Sequence, residues 1–420
     1  MKILYIVPYV PNHIYVRPYS LITGLVKQGH EVSLATLWSN DSDRDAIAAL
    51  EASGVDVYAR AQPVTRSLLN AVSVLPSSTP LQAVYSWQPG LAQAIERLLA
   101  KNNGNPLYDV VHVEHLRGSR YAQFVKSLRT QPQYAHLKST PIIWDSVDSI
   151  AHLFRQASQD SRKWTSRVIT RFELPRTEQY ERQLASAFDH VLVTSPKDKE
   201  IFLQHTQADP SAPPITVLPN GVDLAYFHPA QDVRRDASTL VVSGKMSYHA
   251  NMTMVLYLVN EIMPLVWETV PQARLQIVGK DPGKEISNLS KHPQIEVTGT
   301  VPDIRPYLQQ ATLAVAPIQY GAGIQNKVLE AMACATPVVC ASQAVSALQA
   351  EVGQDLLVAD TPQAFAQSIL QLLSDCKLQA KIGWAGRRYV EAHHDWTTIT
   401  ERLETVYRQA IEARTEQVKN

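Results

Sequence analysis

The chain has 420 residues, of which 45% are apolar and 19% charged, and its 39 lysines and arginines balance 39 aspartates and glutamates. This length exceeds one ordinary hydrophobic core, so two domains of a globular protein are expected. The balanced charge gives no overall field toward nucleic acid, and no run of about 18 uninterrupted apolar residues is present to span a membrane.

The first residues, MKILYIVPYV, predict a buried strand rather than a signal peptide, because the apolar run is short and ends at prolines. The three cysteines, Cys334, Cys340 and Cys376, show no metal-ligand spacing. We therefore expect reduced core thiols in a cytoplasmic protein.

Short β-branched segments alternate with longer helical patterns along the whole chain, which is typical of parallel α/β layers. The expected strands of the first half are KILYIVPYV, EVSLATL, DVVHVEH, PIIWDSV, HVLVTS and ITVLPNG. Those of the second half are LVVSGK, ARLQIVGK, QIEVTGTV, TLAVAPI, TPVVCAS and QDLLVAD. Turn residues, a proline and a polar run predict a linker near residues 225–238.

The segment YGAGIQNKVLEAMA follows an expected buried strand and opens a helix near Asn326. A helix start favours anions through its unpaired N–H groups and its dipole, and Lys327 adds a positive charge there. Glu330 lies three residues further on the same face, where its carboxylate can accept hydrogen bonds from two vicinal hydroxyls. A diphosphate flanked by a ribose fits this pair, but an exposed salt bridge on a surface helix is an equal alternative.

GAGIQNKVLEAMACATPVV resembles the C-terminal signature of family 4 glycosyltransferases, which have the two-domain GT-B fold. ITVLPNGVDLAYFHP, GLVKQGHEVSLAT, VTGTVPDIRPYLQQATLAVAP and YVEAHHDWTTI also follow the family pattern. The resemblance covers nearly the whole chain and is nearest to sugar transferases associated with exopolysaccharide gene clusters. It implies two Rossmann-like α/β domains facing an interdomain cleft, over 1–228 and 237–397, with a helix over 398–420 crossing back to the first domain.

The resemblance also implies donor-binding residues in the second domain. Glu330 takes the place of the glutamate that binds the donor ribose, and Lys245, after Gly244, stands where an arginine commonly binds the diphosphate. Two positions depart from the family, because Ala322 replaces a second glutamate and Ala250 replaces a second basic residue. Lys327 is expected to compensate for Ala250. The sugar hydroxyls are expected to meet the loop and helix start, through Gly321, Ala322, Gly323, Ile324, Gln325 and Asn326.

In the first domain, the family places a histidine against the donor sugar, within a His-x-His pattern. This chain has His112, Glu114 and His115 there, so either Glu114 or His115 takes the role, and we favour His115. A metal site at His112 and His115 lacks further spaced ligands. We expect no metal, because we recognise no Asp-x-Asp motif at a strand end. Asn12, His13 and Arg17 are the expected acceptor-binding residues.

Two further segments allow competing interpretations. Asp145 and Asp148 follow a strand and can face the cleft, although capping of the next helix is the favoured interpretation. Residues 155–182 hold seven Lys/Arg against four Asp/Glu, with Trp164, Val168 and Phe172 at helical spacing. Such a helix can lie on an anionic membrane, while the alternative is a solvated helix packed on the first domain.

We thus expect a retaining, metal-independent hexosyltransferase without a cofactor, located in the cytoplasm or at the inner membrane face. Lys245 and Lys327 would stabilise the leaving diphosphate, with His115 or Glu114 at the sugar. Its expected partners are a nucleotide-sugar and a carbohydrate or lipid-linked acceptor, and not nucleic acid. The alternatives are a nucleotide-sugar-binding protein without turnover and a GT-B-fold epimerase or phosphorylase.

Overall fold

The computed structural model describes residues 1–100, 107–160, 164–206, 212–230, 235–319 and 324–419, the side chains of 157–160, 164–169 and 419 excepted. Contacts divide the chain into two compact units. Unit 1 comprises Met1–Pro219 and Thr397–Asn420, and unit 2 comprises Asn220–Trp396. No helix of the described segments combines the length and apolar character needed to cross a bilayer.

Unit 1 is built on one parallel sheet with helices between its strands. The strands are β1 Lys2–Val7, β2 Glu31–Trp38, β3 Asp56–Ala61, β4 Val110–Glu114, β5 Ile142–Val147, β6 His190–Val193 and β7 Ile215–Val217. The helices are α1 Val16–Lys27, α2 Asp41–Ala52, α3 Val64–Val74, α4 Leu81–Tyr85, α5 Pro89–Leu99, α6 His115–Leu128, α7 Ile150–Asp160, α8 Trp164–Ala185 and α9 Pro196–Thr206, with a 3-10 segment over Pro132–Ser139.

Unit 2 repeats this arrangement around a second parallel sheet. Its strands are β8 Thr239–Ser243, β9 Arg274–Val278, β10 Ile295–Gly299, β11 Leu313–Ala316, β12 Val338–Cys340 and β13 Leu357–Val358. Its helices are α10 His249–Tyr257, α11 Met263–Thr269, α12 Lys284–Ser287, α13 Arg305–Gln310, α14 Asn326–Ala333, α15 Ser342–Val345, α16 Pro362–Ser374 and α17 Cys376–His393, with a π-helical turn over Leu258–Ile262 and a 3-10 turn over Asn288–Lys291. The final helix, α18 Trp396–Lys419, lies almost wholly in unit 1.

Both sheets have the strand order of a doubly wound fold. The order is β3-β2-β1-β4-β5-β6-β7 in unit 1 and β10-β9-β8-β11-β12-β13 in unit 2. The direction of winding therefore reverses between β1 and β4, and again between β8 and β11. Loops on either side of such a reversal diverge at the carboxyl ends of the strands and leave a crevice where ligands bind. The loops after β1, β4, β8 and β11 are thus the ones to search for a site.

The final helix completes the core of unit 1. Ile399, Leu403, Val406 and Tyr407 form a stripe along α18, and each is at most 5% exposed. Their helical spacing places these apolar residues on one side of α18. The two Rossmann-like units and the returning helix confirm the predicted fold class.

Three details differ from the sequence-based expectation. β3 was not predicted, since Asp56–Ala61 is a largely exposed edge strand with a weak apolar pattern. Residues 220–228 lie with unit 2 rather than with the first domain, because Val222 N donates to His394 O at 2.7 Å and Arg387 donates to Phe227 O at 2.7 Å. Cys376 is exposed at the start of α17, so only Cys334 and Cys340 are core thiols.

Candidate functional site

The start of α14 carries a lysine that is held by polar partners. Lys327 Nζ donates to Asn251 Oδ1 at 3.0 Å and to Gln325 Oε1 at 3.2 Å. Burial lowers the pKa of Lys327 to about 8, which the charge of Glu330 only partly offsets. The ammonium group is therefore directed by two neutral oxygens and keeps its charge without a bonded carboxylate among the described residues.

Asn251 connects this lysine to the loop after β8. Its Nδ2 donates to Lys245 O at 3.0 Å, while its Oδ1 accepts from Lys327. Gly244 has a φ of 148°, and a Cβ there would lie 2.8 Å from Asn251 Nδ2 and 3.4 Å from Lys327 Cε. Only glycine fits this close approach without displacing Asn251. The structure thus brings Gly244, Lys245 and Lys327 together through a residue that the sequence did not indicate.

The carboxyl group of Glu330 is half-buried and makes no hydrogen bond with any residue that the structure describes. Burial raises its pKa to about 7, and the positive charge of Lys327 acts in the opposite direction. The alternative of a simple surface salt bridge is wrong, because Lys327 donates to Asn251 and Gln325 rather than to Glu330. An unpartnered carboxyl group near a directed ammonium group is suited to a polar ligand.

The other predicted donor-binding residues fall into two groups. Ile324 is buried, Gln325 precedes the first helical residue, and Asn326 begins α14. Asn326 Oδ1 is buried and has no hydrogen-bond partner within the described part of the chain. Gly321, Ala322 and Gly323 lie outside the described residues.

In unit 1, Glu114 ends β4 and is closed in by tyrosines. Its Oε2 accepts from Tyr5 OH at 2.5 Å, its Oε1 accepts from Tyr9 OH at 2.9 Å, and the residue is 1% exposed. Burial raises the pKa of Glu114 to about 7, with a further contribution from Asp145 and opposition from Arg17. Both carboxyl oxygens have partners, so Glu114 fixes the first loop to β4.

His115 differs from Glu114 in that it is half-buried and begins α6. Its φ of 67° is unusual for a non-glycine residue and turns the chain sharply at the strand end. Nδ1 accepts from the backbone N–H of Arg117 at 3.2 Å, which leaves the ring proton on Nε2. Burial, assisted by Arg117, lowers the pKa of His115 to about 3, so the ring is neutral. The geometry makes His115, rather than Glu114, the group able to donate a hydrogen bond to a ligand.

A buried ion pair lies beneath this strand end. Arg17 donates to Asp145 Oδ2 at 2.7 Å and 3.0 Å, and also to the carbonyls of Leu218 and Pro219. His112 contacts Tyr407 OH through Nδ1 at 2.8 Å. Burial, assisted by Arg17, lowers the pKa of His112 well below its usual range.

Potential metal ligands of His112, Glu114 and Asp145 lie within 4.8 Å of one another. Glu114 accepts from two tyrosines and Asp145 is paired with the guanidinium of Arg17, so the carboxylates already have donors. A cation would also be repelled by Arg17. These residues therefore do not fit a metal ion.

The expected acceptor residues behave differently from one another. Asn12 Oδ1 accepts from the backbone N–H groups of Ile14 and Tyr15 at 2.8 Å and 3.0 Å, and so shapes the first loop. His13 is exposed, with its ring 4.7 Å from that of Tyr19. Arg17 is 6% exposed, and its guanidinium donates to Asp145 of β5 and to the carbonyl of Leu218. We therefore reassign Arg17 from acceptor binding to a structural role within unit 1.

Neither expected aspartate caps α7. Asp145 pairs with Arg17, and Asp148 accepts from Thr194 Oγ1 at 2.7 Å. Glu181 of α8 instead accepts from the backbone N–H of Ile150 at 2.7 Å, at the start of α7. The favoured capping interpretation was therefore wrong, because the cap comes from Ser149, whose Oγ accepts from the backbone N–H of His152 at 3.2 Å, and from the distant Glu181.

Contrary to the expectation, Asp-x-Asp does follow a strand, in Asp41 to Asp43 and the overlapping Asp43 to Asp45 after β2. Asp43 accepts from the backbone N–H groups of Ser39 and Asn40 at 2.7 Å and 3.3 Å, while Asn40 caps the helix in return. These contacts form a capping box at the start of α2. These aspartates therefore belong to the start of a helix.

Comparison with known proteins identifies the family. A model described as Glycosyltransferase Family 4 matches residues 16–226, half of the chain, and one described as Glycosyl transferases group 1 matches residues 237–375. The chain belongs to glycosyltransferase family 4. The first match falls mainly in unit 1 and the second lies in unit 2, as expected for members of this family with the GT-B fold.

Similar structures share the fold, and a curated relative matches part of the chain. Sucrose-phosphate synthase from Thermosynechococcus elongatus has a TM-score of 0.68 at 18% identity, covering 98% of this chain and 99% of that one. HepE of Anabaena, solved with UDP and glucose, has a TM-score of 0.62 at 16% identity, covering 97% and 100%. D-inositol 3-phosphate glycosyltransferase of Kineococcus radiotolerans is 26% identical over 266 residues, which are 56% of this chain and 60% of that protein. The chain thus matches 60% of the length of this curated relative.

Proposed function

We propose that this family 4 member is a retaining hexosyltransferase that moves a sugar from a nucleotide-sugar to a carbohydrate or lipid-linked acceptor, in polysaccharide or glycoconjugate synthesis. The observation that carries the proposal is at the start of α14, where Asn251 and Gln325 direct Lys327 and where the carboxyl group of Glu330 makes no hydrogen bond with the described residues. Both lie in unit 2 beside the reversal of the sheet, where ligands of doubly wound folds bind. The similarity in fold to HepE, solved with UDP and glucose, supports a nucleoside diphosphate donor.

The chemistry follows from the charges of the donor. Glu330 accepts hydrogen bonds from the ribose hydroxyls, and the diphosphate lies at the start of α14 with Lys327 and Lys245. Breaking the bond between the anomeric carbon and the diphosphate adds negative charge to the leaving group, which the helix start and Lys327 stabilise. The neutral His115 donates from Nε2 to a sugar hydroxyl. Retention of the anomeric configuration is proposed from the resemblance to the family.

The proposal includes catalysis without a divalent ion, since lysines and a helix start supply positive charge where the leaving group forms. Turnover is expected to persist after treatment with EDTA. Loss of turnover with EDTA and its recovery with magnesium or manganese would show that this part of the mechanism is wrong.

The first experiment is calorimetric titration with UDP-, GDP-, dTDP- and ADP-sugars. One class is expected to bind and to raise the melting temperature, because a ligand of the native state stabilises it. Glu330→Ala should abolish that binding, whereas Glu285→Ala, an exposed carboxylate of the same unit, should not. Unchanged affinity of Glu330→Ala for the nucleotide-sugar would show that Glu330 does not bind the ribose.

A second assay separates a transferase from a binding protein without turnover, an alternative raised by Ala250 and Ala322. Slow release of nucleoside diphosphate in the absence of acceptor is expected of a working transferase. Tight binding with no release, in the presence or absence of acceptor sugars, would favour the binding protein.

A further inference from the structure

Helix α3 of unit 1 buries polar residues and exposes apolar ones. Its buried residues are Ser67 and Asn70, whereas Val64, Leu68, Leu69 and Val72 are between 58% and 67% exposed. Ser67 Oγ accepts from Gln62, and Asn70 donates to Trp87 O at 2.7 Å, so polar bonds hold the inner side. A helix that faces water normally has the opposite pattern.

The exposed apolar residues form one continuous surface, which we call the α3 face: Val64, Leu68, Leu69, Val72 and Leu75, the last 47% exposed. The apolar residue Phe172 of α8, also 47% exposed, extends it. Arg176 joins the two helices, because it donates to Leu75 O at 2.9 Å and its Cζ lies 4.0 Å from the centre of the Phe172 ring. Contiguous apolar surface of this kind marks an interaction site.

The exposed charged side chains next to the α3 face in sequence are positive. The sequence contains no aspartate or glutamate between Asp56 and Glu96, while the exposed Arg60 lies in that interval. Arg171, beside Phe172, is exposed. The nearby Glu173 is 2% exposed and accepts from Leu81 N, so its charge is turned inward. Basic residues bordering an apolar face complement an anionic surface.

We propose that the α3 face docks the protein on an anionic lipid bilayer, with Val64, Leu68 and Val72 buried at the level of the acyl chains and the arginines at the phosphates. Residues 155–182 are one alternative for a membrane contact in the sequence, whereas this surface is centred on α3 and includes Phe172 of α8. A helix with one exposed apolar side suits the bilayer interface, where amphipathic helices insert about 5–10 Å deep. The proposal does not depend on the identity of the donor.

The test is cosedimentation of the full chain with vesicles of phosphatidylcholine alone or mixed with phosphatidylglycerol. Binding to the mixed vesicles is expected, and it should weaken with salt because the charges are exposed. The triple variant Leu68→Ser, Leu69→Ser, Val72→Ser should lose roughly tenfold or more of its binding. The control variant Val352→Ser with Trp384→Ser removes exposed apolar surface from unit 2 and should bind like the wild type.

Two further measurements guard against misinterpretation. Leu69→Trp should gain fluorescence that brominated lipids quench more strongly than that of the wild type, whatever the behaviour of the serine variant. Sedimentation velocity without lipid should show one species at all concentrations. Equal binding of the triple variant and wild type, binding indifferent to phosphatidylglycerol, or a dimer that only the triple variant abolishes would overturn the proposal.

Discussion

Nζ of Lys327 lies 3.0 Å from Oδ1 of Asn251, which joins the first turn of α14 to the first turn of α10. Asn251 is the neighbour of Ala250, where the family commonly has a basic residue. The ammonium group of Lys327 is therefore bonded to the turn that lacks this charge. This contact supports the proposal that Lys327 compensates for Ala250.

Lys327→Ala should reduce turnover more than ground-state donor affinity, because the charge on the leaving group grows in the transition state. A charge-assisted contact to this group contributes about 2–4 kcal/mol, or roughly 30- to 1,000-fold in rate. The measurement is kcat and donor Kd for Lys327→Ala beside Lys245→Ala, whose side chain is exposed. Near-normal turnover with a lower melting temperature would make Lys327 a purely structural residue.

Asn251 is expected to position Lys327 rather than touch the donor. Asn251→Leu removes one of the two acceptors of the ammonium group, so kcat should fall several-fold while the unit stays folded. The decisive measurement is a double-mutant cycle with Lys327→Ala, in which the second substitution should add little, with a coupling of about 1 kcal/mol or more. Strictly additive effects on kcat would contradict the positioning role.

Donor affinity should have a maximum between about pH 7 and pH 8. In the free protein the pKa of Glu330 is raised to about 7 and that of Lys327 is lowered to about 8. The proposed complex needs an ionised Glu330 and a charged Lys327, so binding must release a proton at lower pH and take one up at higher pH. Each limb falls by up to about tenfold per pH unit.

Titration calorimetry across pH checks this profile, and Glu330→Gln serves as the matched variant. Its weaker binding should lose the acid limb and keep the alkaline one. An affinity that does not vary from pH 6 to 9 in the wild type would contradict the proposed protonation states.

Glu114→Gln should make stability less dependent on pH. The pKa of Glu114 is raised from 4.5 to about 7 in the folded chain, so its contribution is fully present below 4.5 and is lost as pH rises through 7. The free energy of unfolding of the wild type should therefore fall by about 1–3 kcal/mol more than that of Glu114→Gln over this interval. Denaturant titrations at pH 5 and pH 7.5 measure the difference, and exposed Glu285→Gln should follow the wild type.

Most of the fold was predictable because buried parallel strands leave short β-branched segments in the sequence. The twelve expected strands are all present, and so is the helix expected over 398–420. β3 escaped because an edge strand such as Asp56–Ala61 needs little apolar character. The side of α3 that faces outward could not be predicted, since the pattern of an inverted helix is the same as that of a normal one.

The site was predictable only where its residues are neighbours in sequence. Lys327 and Glu330 share a helix face through their spacing of three, so their placement on one face could be predicted without tertiary information. Asn251 lies 76 positions from Lys327 and reaches it only through the fold. The difference between Glu114 and His115 likewise depends on Tyr5 and Tyr9, which approach from β1 and its loop.

The place of α18 in the core has a consequence for biosynthesis. A ribosome delivers residues 1–219 first, yet the core of unit 1 lacks Leu403 and Tyr407 until residues 397–420 have been made. Unit 2 receives all of its residues before then. Unit 1, whose first residues precede unit 2 in the chain, thus completes its packing after unit 2, and His112 lacks the hydroxyl of Tyr407 until residue 407 has been made.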